Sequence, residues 1–189
     1  VAILTGHYGT GKTEVSVNLA LALAAEGEQV MLADLDIVNP YFRSRERRPL
    51  LEKAGVRGIS SSQACSDAEI RGILDIGGDP VGARVLARFQ PKIVQEDYQL
   101  IFVLNANRPE VRDAESAAAY LRSIEAVTGL TCSGLVNNTH LCGETTPAEI
   151  RKGAALAQEV SRQTGIPILC HTAERRFLES LSDLGEPVF

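Results

Sequence analysis

The chain has 189 residues and a formal net charge of −5, with 44% hydrophobic and 23% charged residues. This composition is ordinary for a globular protein, and no apolar run approaches the ~18 residues that a membrane span requires. We therefore expect a single cytoplasmic domain over residues 1–189. We predict no signal peptide, although the chain begins with Val1 rather than Met. The sequence also has no clear signal for binding nucleic acid or a membrane.

The first predicted element is a short apolar strand that leads into a loop, and residues 6–13 match GxxxxGK[ST] at every required position. This pattern is typical of a P-loop, whose glycines let backbone N–H groups turn inward around phosphate oxygens. Lys12 supplies a mobile charge to the β- and γ-phosphates, and the Thr13 hydroxyl is a ligand for Mg²⁺. The predicted nucleotide-binding residues of this segment are Gly6, His7, Tyr8, Gly9, Thr10, Gly11, Lys12, Thr13 and Glu14.

A helix over Glu14 to Glu26 and a buried strand over Gln29 to Asp36 are predicted next. The continuous apolar run of this strand is typical of a parallel sheet that is covered on both faces. The strand brings Asp34 and Asp36 to its carboxyl end, beside the P-loop. Open α/β sheets bind their ligands at that edge.

Residues 37–49 combine a turn, two aromatic residues and four arginines. They are interpreted either as a mobile functional loop or as the basic start of a helix that ends over Leu50 to Ala54. Strands are predicted over Val56 to Ser60 and over Arg71 to Gly77. The intervening segment, 61–70, is shorter than the dozen or more residues of a usual parallel crossover. Either the first of these strands is an irregular edge strand, or residues of the natural protein are absent here.

Asp75 closes the fourth apolar run and is followed by Gly77 and Gly78. A carboxylate at the end of a buried strand near a P-loop can hold a water bound to Mg²⁺, and glycine lets the backbone approach the γ-phosphate. We therefore assign Asp75 to the metal and Gly78 to the nucleotide. A plain strand-to-turn Asp-Gly-Gly is the alternative.

The rest of the chain alternates helices with strands. Helices are predicted over Pro80 to Gln95, Asp113 to Thr128, Pro147 to Thr164 and Glu174 to Leu184, and strands over Gln99 to Ala106, Leu130 to Asn137 and Pro167 to Thr172. This alternation predicts a three-layer α/β fold with a doubly wound, mostly parallel sheet.

A P-loop, a strand ending Asp-Leu-Asp, a strand ending Asp-Ile-Gly-Gly and a strand ending Val-Asn-Asn follow one another along the chain. This order resembles the MinD/ParA-type P-loop ATPases of the CobQ/CobB/MinD/ParA group over nearly the whole chain. The resemblance implies that Lys12 and Asp36 are catalytic, with Asp36 positioning the attacking water. It also implies that Thr13, Asp36 and Asp75 serve Mg²⁺ and that Asn137 contacts adenine, for which an amide offers both a donor and an acceptor. A loop-capping role is the alternative for Asn137.

One position departs from this family. Members that hydrolyse ATP as a sandwich dimer carry a signature lysine followed by a glycine, where this chain has His7 and Tyr8. An imidazole that is neutral or partly charged near pH 7 cannot replace a lysine at the phosphate of a partner. A nucleotide-dependent homodimer is therefore an open question, and Arg43, Arg45 and Arg108 are alternative sources of charge.

We predict that the bound nucleotide carries adenine. Guanine-specific P-loop proteins have an Asn/Thr-Lys-x-Asp motif, and no lysine of this chain lies in one. We predict an ATPase that binds ATP or ADP with Mg²⁺ and acts as a switch on an unknown protein partner. The alternative is a metabolic enzyme resembling dethiobiotin synthetase or the cobyrinate amidating enzymes, with Arg43, Arg45 and Arg108 binding a carboxylate substrate. A membrane- or DNA-positioning module is disfavoured by the acidic C-terminal segment and the acidic net charge.

Other reactive side chains form no recognisable motif. The cysteines have no CxxC spacing and are interpreted as free thiols. His140 and Cys142 lack a third metal ligand, so they do not indicate a metal site. His171 is interpreted as a histidine at a strand end whose ring is hydrogen-bonded within the protein, rather than as a catalytic base. The cysteines are Cys65, Cys132, Cys142 and Cys170.

Overall fold

The computed structural model describes residues 1–35, 47–60 and 71–189. The predictions for Asp36, Arg43, Arg45 and Cys65, and the question of missing residues between Ser61 and Ile70, lie outside these ranges.

Within the described ranges, seven strands form one sheet in the order β3-β2-β4-β1-β5-β6-β7, and every pairing is parallel. The predicted α/β fold with a doubly wound sheet is confirmed. Because β1 lies in the middle, the chain winds outward from it in both directions, and β3 is an edge strand. The strands are β1 (Ala2–Thr5), β2 (Val30–Asp34), β3 (Arg57–Ser60), β4 (Arg71–Asp75), β5 (Gln99–Leu104), β6 (Cys132–Asn137) and β7 (Ile168–His171).

The helices of the described part of the chain are α1 (Lys12–Ala25), α2 (Arg48–Lys53), α3 (Pro80–Ala87), α4 (Gln90–Ile93), α5 (Ala114–Thr128) and α6 (Pro147–Thr164). None of them has both the length and the apolar character that crossing a bilayer requires.

Two predicted helices differ from the structure. The helix predicted over Pro80 to Gln95 is divided into α3 and α4, because Pro91 has no N–H with which to continue the backbone ladder. The helix predicted over Glu174 to Leu184 forms two 3₁₀ turns, Arg175–Phe177 and Glu179–Leu181. In that segment serine hydroxyls donate to nearby backbone carbonyls, which competes with a regular helix.

The core has two halves, one on each face of the sheet. Phe102 and Leu104 point from β5 into the half covered by α3, α5 and α6. Ile101 and Val103 point from the same strand into the half covered by α1 and α2. This alternation follows from the two-residue period of a strand, and its apolar character on both faces is typical of a covered parallel sheet.

The register of the strands defines the edge at which polar side chains collect. Leu4 of β1 and Asp34 of β2 both lie opposite Asp75 of β4, and on the other side Asn137 of β6 lies opposite Leu104 of β5. The loop that follows β1 therefore emerges between these carboxyl ends, where doubly wound sheets bind ligands.

Candidate functional site

The loop between β1 and α1 has the backbone of an anion cradle. Gly6, Gly9 and Gly11 have φ angles of 137°, 74° and 82°, which side chains rarely tolerate. Gly11 is also the N-cap of α1, and a Cβ there would collide with the Asn138 amide. No side chain of the described residues caps this helix start, so its first N–H groups face the loop.

The Lys12 side chain lies inside this loop. It is only 6% exposed, and its Nζ donates to the His7 carbonyl at 3.2 Å, a carbonyl that also accepts from the Thr10 hydroxyl at 3.0 Å. Gly78, which follows β4, lies directly against it, because a Cβ on Gly78 would lie 2.7 Å from Lys12 Nζ and 2.7 Å from the Tyr8 backbone nitrogen. The structure therefore brings Lys12 and Gly78 together, 66 residues apart in sequence.

A pair of buried carboxylates lies beside the loop. Asp34 and Asp75 are 2% and 1% exposed and are register partners on adjacent strands. Leu32 and Ile73, two residues earlier on the same strands, pack in the core half beneath α1, so the period of the strand directs both carboxylates to that side. The sequence pattern indicated a metal role for Asp75 but not for Asp34, although Asp34 belongs to the Asp-Leu-Asp pattern.

Thr13 lies on the same side of the sheet as these carboxylates, in the first turn of α1. Hydroxyl and carboxylate oxygens are the protein ligands that suit Mg²⁺, which otherwise keeps waters and phosphate oxygens. The described residues contain no cluster of three or more His, Cys, Asp or Glu side chains that could hold a metal by themselves. The donor set therefore fits a magnesium ion that is shared with a phosphate.

The side chain at position 7 points into the protein. The His7 ring packs edge-on against Tyr120 of α5, with centroids 5.0 Å apart, and the His7 side chain is 18% exposed. Its Nδ1 lies 3.0 Å from the Tyr8 carbonyl and 3.7 Å from Glu110 Oε2. Tyr8, by contrast, is 51% exposed.

The Arg108 side chain forms a hydrogen bond with the backbone of the P-loop. Its Nε donates to the Gly9 carbonyl at 2.7 Å, and its guanidinium occupies the space where a side chain on residue 9 would lie. Of the three arginines proposed as sources of charge, Arg108 is the one within the described residues.

The hydrogen bonds of the Asn137 side chain favour the alternative, a capping role inside the protein, over contact with adenine. This side chain is fully buried, and its Nδ2 donates to the Ile150 carbonyl and to His171 Nδ1, each at 3.1 Å. Its Oδ1 accepts from the Thr139 backbone N–H at 3.1 Å. The amide is therefore used inside the protein, and its contact with a base stays a prediction. The adjacent Asn138 is the residue that reaches the P-loop, where its Nδ2 donates to the Thr10 carbonyl at 2.7 Å.

His140 lies next to this contact. Its Nδ1 accepts from the Cys142 backbone N–H at 3.3 Å, which leaves the ring proton on Nε2 in the neutral form. Burial, together with the nearby charge of Arg108, lowers the pKa of His140. The ring is thus neutral near pH 7. The thiols Cys132, Cys142 and Cys170 form no disulfide, and burial raises the pKa of Cys132 and Cys170 to about 11.

Comparison with known families matches residues 1–169 to the CobQ/CobB/MinD/ParA nucleotide binding domain. Among curated proteins, the chain is 52% identical over 40 residues to the iron-sulfur cluster carrier protein of Escherichia coli (strain K12), a match that covers 21% of this chain and 11% of that protein. It is 60% identical over 37 residues to the antiactivator FleN of Pseudomonas aeruginosa, which covers 20% and 13% of the two proteins. It is 36% identical over 59 residues to the cytosolic Fe-S cluster assembly factor CFD1 of Yarrowia lipolytica, covering 29% and 20%. The chain thus matches a fifth or less of each of these relatives.

Solved structures agree on the fold. The cell division protein FtsY of Thermotoga maritima superposes with a TM-score of 0.62 at 20% identity, covering 92% of this chain and 61% of that one. The signal recognition particle 54 kDa protein of Aeropyrum pernix, solved in complex with GDP, has a TM-score of 0.60 at 22% identity, covering 88% and 39%. These likenesses establish the P-loop NTPase fold.

Proposed function

The chain belongs to the CobQ/CobB/MinD/ParA family of nucleotide-binding domains, and on that premise we propose that it is a magnesium-dependent ATPase that acts as a nucleotide-dependent switch on a protein partner. The observation that carries this proposal is the meeting of Lys12 with the Gly78 backbone at the mouth of the glycine loop. A terminal phosphate bound there would contact two segments that are distant in sequence. Contacts of this kind order two segments while a triphosphate is bound and release them when it is hydrolysed to the diphosphate.

In this proposal the loop amides and the N-terminus of α1 bind the phosphate chain, and Lys12 balances the charge at its far end. Thr13 and Asp75, with Asp34 beside it, would hold Mg²⁺. When bound, this ion supplies additional charge neutralisation at the phosphate oxygens. Arg108 supports the same task indirectly, because its bond to the Gly9 carbonyl braces the loop.

Asp36 is proposed to orient the attacking water. It lies outside the described residues, and the proposal rests on its position two residues after Asp34 and on the family resemblance. Phosphoryl transfer requires little more of the protein than such positioning together with charge stabilisation.

ATP is proposed as the nucleotide, because none of the lysines of the chain stands in a guanine-reading motif. The GDP in the Aeropyrum pernix structure belongs to a protein that shares the fold at 22% identity, and it carries no argument for the base here.

A protein partner is proposed from the curated relatives, whose names describe a carrier, an antiactivator and an assembly factor. For the alternative, a carboxylate-activating enzyme, Arg43, Arg45 and Arg108 are the arginines proposed to bind the carboxylate, and of these only Arg108 lies within the described residues. Its Nε is already bonded to the P-loop. No observation on the described residues favours that alternative.

Titration calorimetry with Mg-ATP tests the proposal on the parent protein, Lys12→Ala and the control Lys92→Ala. Lys92 is an exposed residue of α4, so its loss should leave ATP affinity unchanged. We expect Lys12→Ala to abolish tight binding. Binding and hydrolysis of ATP by Lys12→Ala at parental levels would show that the site assignment is wrong, and a preference for GTP in competition would overturn the base assignment.

A further inference from the structure

Tyr120 of α5 connects three parts of the site. Its hydroxyl donates to the Gly78 carbonyl at 2.5 Å. Its ring packs against the His7 ring at 5.0 Å on one side and lies 6.4 Å from the Phe102 ring of the core on another. Tyr120 is half-buried and lies 42 residues from Gly78. One side chain thus links the P-loop, the segment after β4 and the core beneath α5.

The segment that Tyr120 contacts, residues 76–79, is buried over residues 76–78, and its other hydrogen bonds within the described part of the chain lie at its two ends. At its start, the Ile76 N–H donates to the Leu4 carbonyl at 3.2 Å and extends the pairing of β4 with β1. At its end, Asp79 caps α3, its Oδ1 accepting from the Gly82 N–H at 2.5 Å. Between these points, the hydrogen bond from Tyr120 fixes the Gly78 peptide.

This peptide is the part of the segment that faces the phosphate site. Gly78 lies so close to Tyr8 and Lys12 that a methyl group at its Cα would meet both the Tyr8 backbone nitrogen and the Lys12 ammonium. A small displacement of Gly78 would therefore change the space next to Lys12. Within the described part of the chain, the glycine amides of the loop make no hydrogen bond to Tyr120.

The Tyr120 hydroxyl has one proton to donate, and its environment keeps that proton in place. Burial, with the charges of Asp79 and Glu110, raises the pKa of Tyr120 to about 12. The hydroxyl is therefore protonated across the neutral range, and the bond to the carbonyl of Gly78 persists there.

We infer that Tyr120 is a positioning residue for the terminal phosphate, holding Gly78 against Lys12 so that the site distinguishes a nucleoside triphosphate from a diphosphate. The inference deepens the proposed function and rests on it. A diphosphate is bound by the loop amides and the start of α1, to which Tyr120 makes no hydrogen bond among the described residues; its contact with the loop is the ring packing against His7, which Tyr120→Phe keeps. A third phosphate also meets the Gly78 peptide, and a contact held in place beforehand binds more tightly than one that must be ordered on binding.

Tyr120→Phe separates this role from a packing role, because it keeps the ring against His7 and Phe102 and removes only the hydroxyl. Tyr98→Phe is the matched control. The Tyr98 hydroxyl accepts from the Thr131 N–H at 3.2 Å, and Tyr98 lies just before β5, at the opposite edge of the sheet from the P-loop. Each variant therefore loses one hydrogen bond between a tyrosine and the backbone.

The experiment is calorimetric titration of the parent, Tyr120→Phe and Tyr98→Phe with Mg-ADP and with a non-hydrolysable Mg-ATP analogue. We expect Tyr120→Phe to raise the Kd of the triphosphate about fivefold to tenfold, as for the loss of one hydrogen bond, and to change the Kd of ADP less than twofold. Tyr98→Phe should change neither value. Thermal unfolding of the three proteins checks that each is folded.

The outcomes separate the inference from the function on which it rests. If the parent binds neither nucleotide, the proposed function fails and the inference fails with it. If the parent binds both and Tyr120→Phe keeps the parental ratio of the two Kd values, only the inference fails. Gly78→Ala provides a second route. Its methyl group would enter the same space, so it should also weaken triphosphate binding more than ADP binding, and an equal effect on both nucleotides would contradict the inference.

Discussion

Replacing Asn137 by alanine should destabilise the fold without weakening nucleotide binding. The substitution removes three hydrogen bonds, to the Ile150 carbonyl, to His171 and from the Thr139 N–H, in a place from which water is excluded. At about 1 kcal/mol for each bond, the free energy of unfolding should fall by about 3 kcal/mol. For a chain of this size, that corresponds to a decrease in Tm of about 6–12 °C.

Urea unfolding followed by circular dichroism measures the stability, and titration with Mg-ATP below the transition measures the affinity. Asn18→Ala is the control, since the Asn18 amide donates to the Glu14 carbonyl on the exposed face of α1 and should cost little. Asn138→Ala should have the opposite profile, because its amide supports the Thr10 carbonyl of the P-loop. A tenfold loss of ATP affinity in Asn137→Ala, with unchanged stability, would refute this reasoning and restore the base-contacting role.

Substitutions at three further positions test other parts of the structure. Arg108→Ala should weaken Mg-ATP binding severalfold in calorimetry by releasing the Gly9 carbonyl, and Arg108→Lys should restore only part of it, because an ammonium lacks the planar fork. Gly153→Ala should lower the free energy of unfolding by about 1–3 kcal/mol, measured as a lower urea midpoint, since its methyl group would overlap the Thr139 side chain. The cap of α5 should show pH dependence. The bond from the Ser116 N–H lowers the pKa of Asp113, so its stabilisation is present above the unfolded pKa and is lost as the pH falls through the folded one. Asp113→Ala should therefore reduce the difference between urea midpoints at pH 7 and pH 3, and an unchanged difference would count against the cap.

Much of the fold could be predicted because its signals are local. The apolar runs of β1, β2 and β5 and the glycine loop of residues 6–13 each lie in a continuous stretch of sequence. Pro91 was a local indication that a helix ends near it. The apolar pattern of the segment nevertheless favoured one continuous helix, whereas the structure has two, α3 and α4.

The parts of the site that the sequence left open or did not mark concern side chains whose roles depend on their direction or on distant contacts. Asn137 and Asn138 have the same side chain, and successive residues of an extended segment point to opposite faces. The sequence alone therefore does not show which of the two amides lies in the core and which one contacts the P-loop. Tyr120 had no motif to mark it. Asp36, outside the described residues, stays a prediction.

The sequence by itself determined the chemistry of the phosphate cradle, because the glycines, Lys12 and Thr13 are neighbours along the chain and a short loop has few ways to fold around an anion. The tertiary structure decided which remote groups meet that cradle. The register of β2 with β4 pairs Asp34 with Asp75, and the packing of α5 on the sheet brings the Tyr120 hydroxyl to Gly78. Such contacts arise from the burial of whole faces of helices and strands, which a local pattern of residues does not specify.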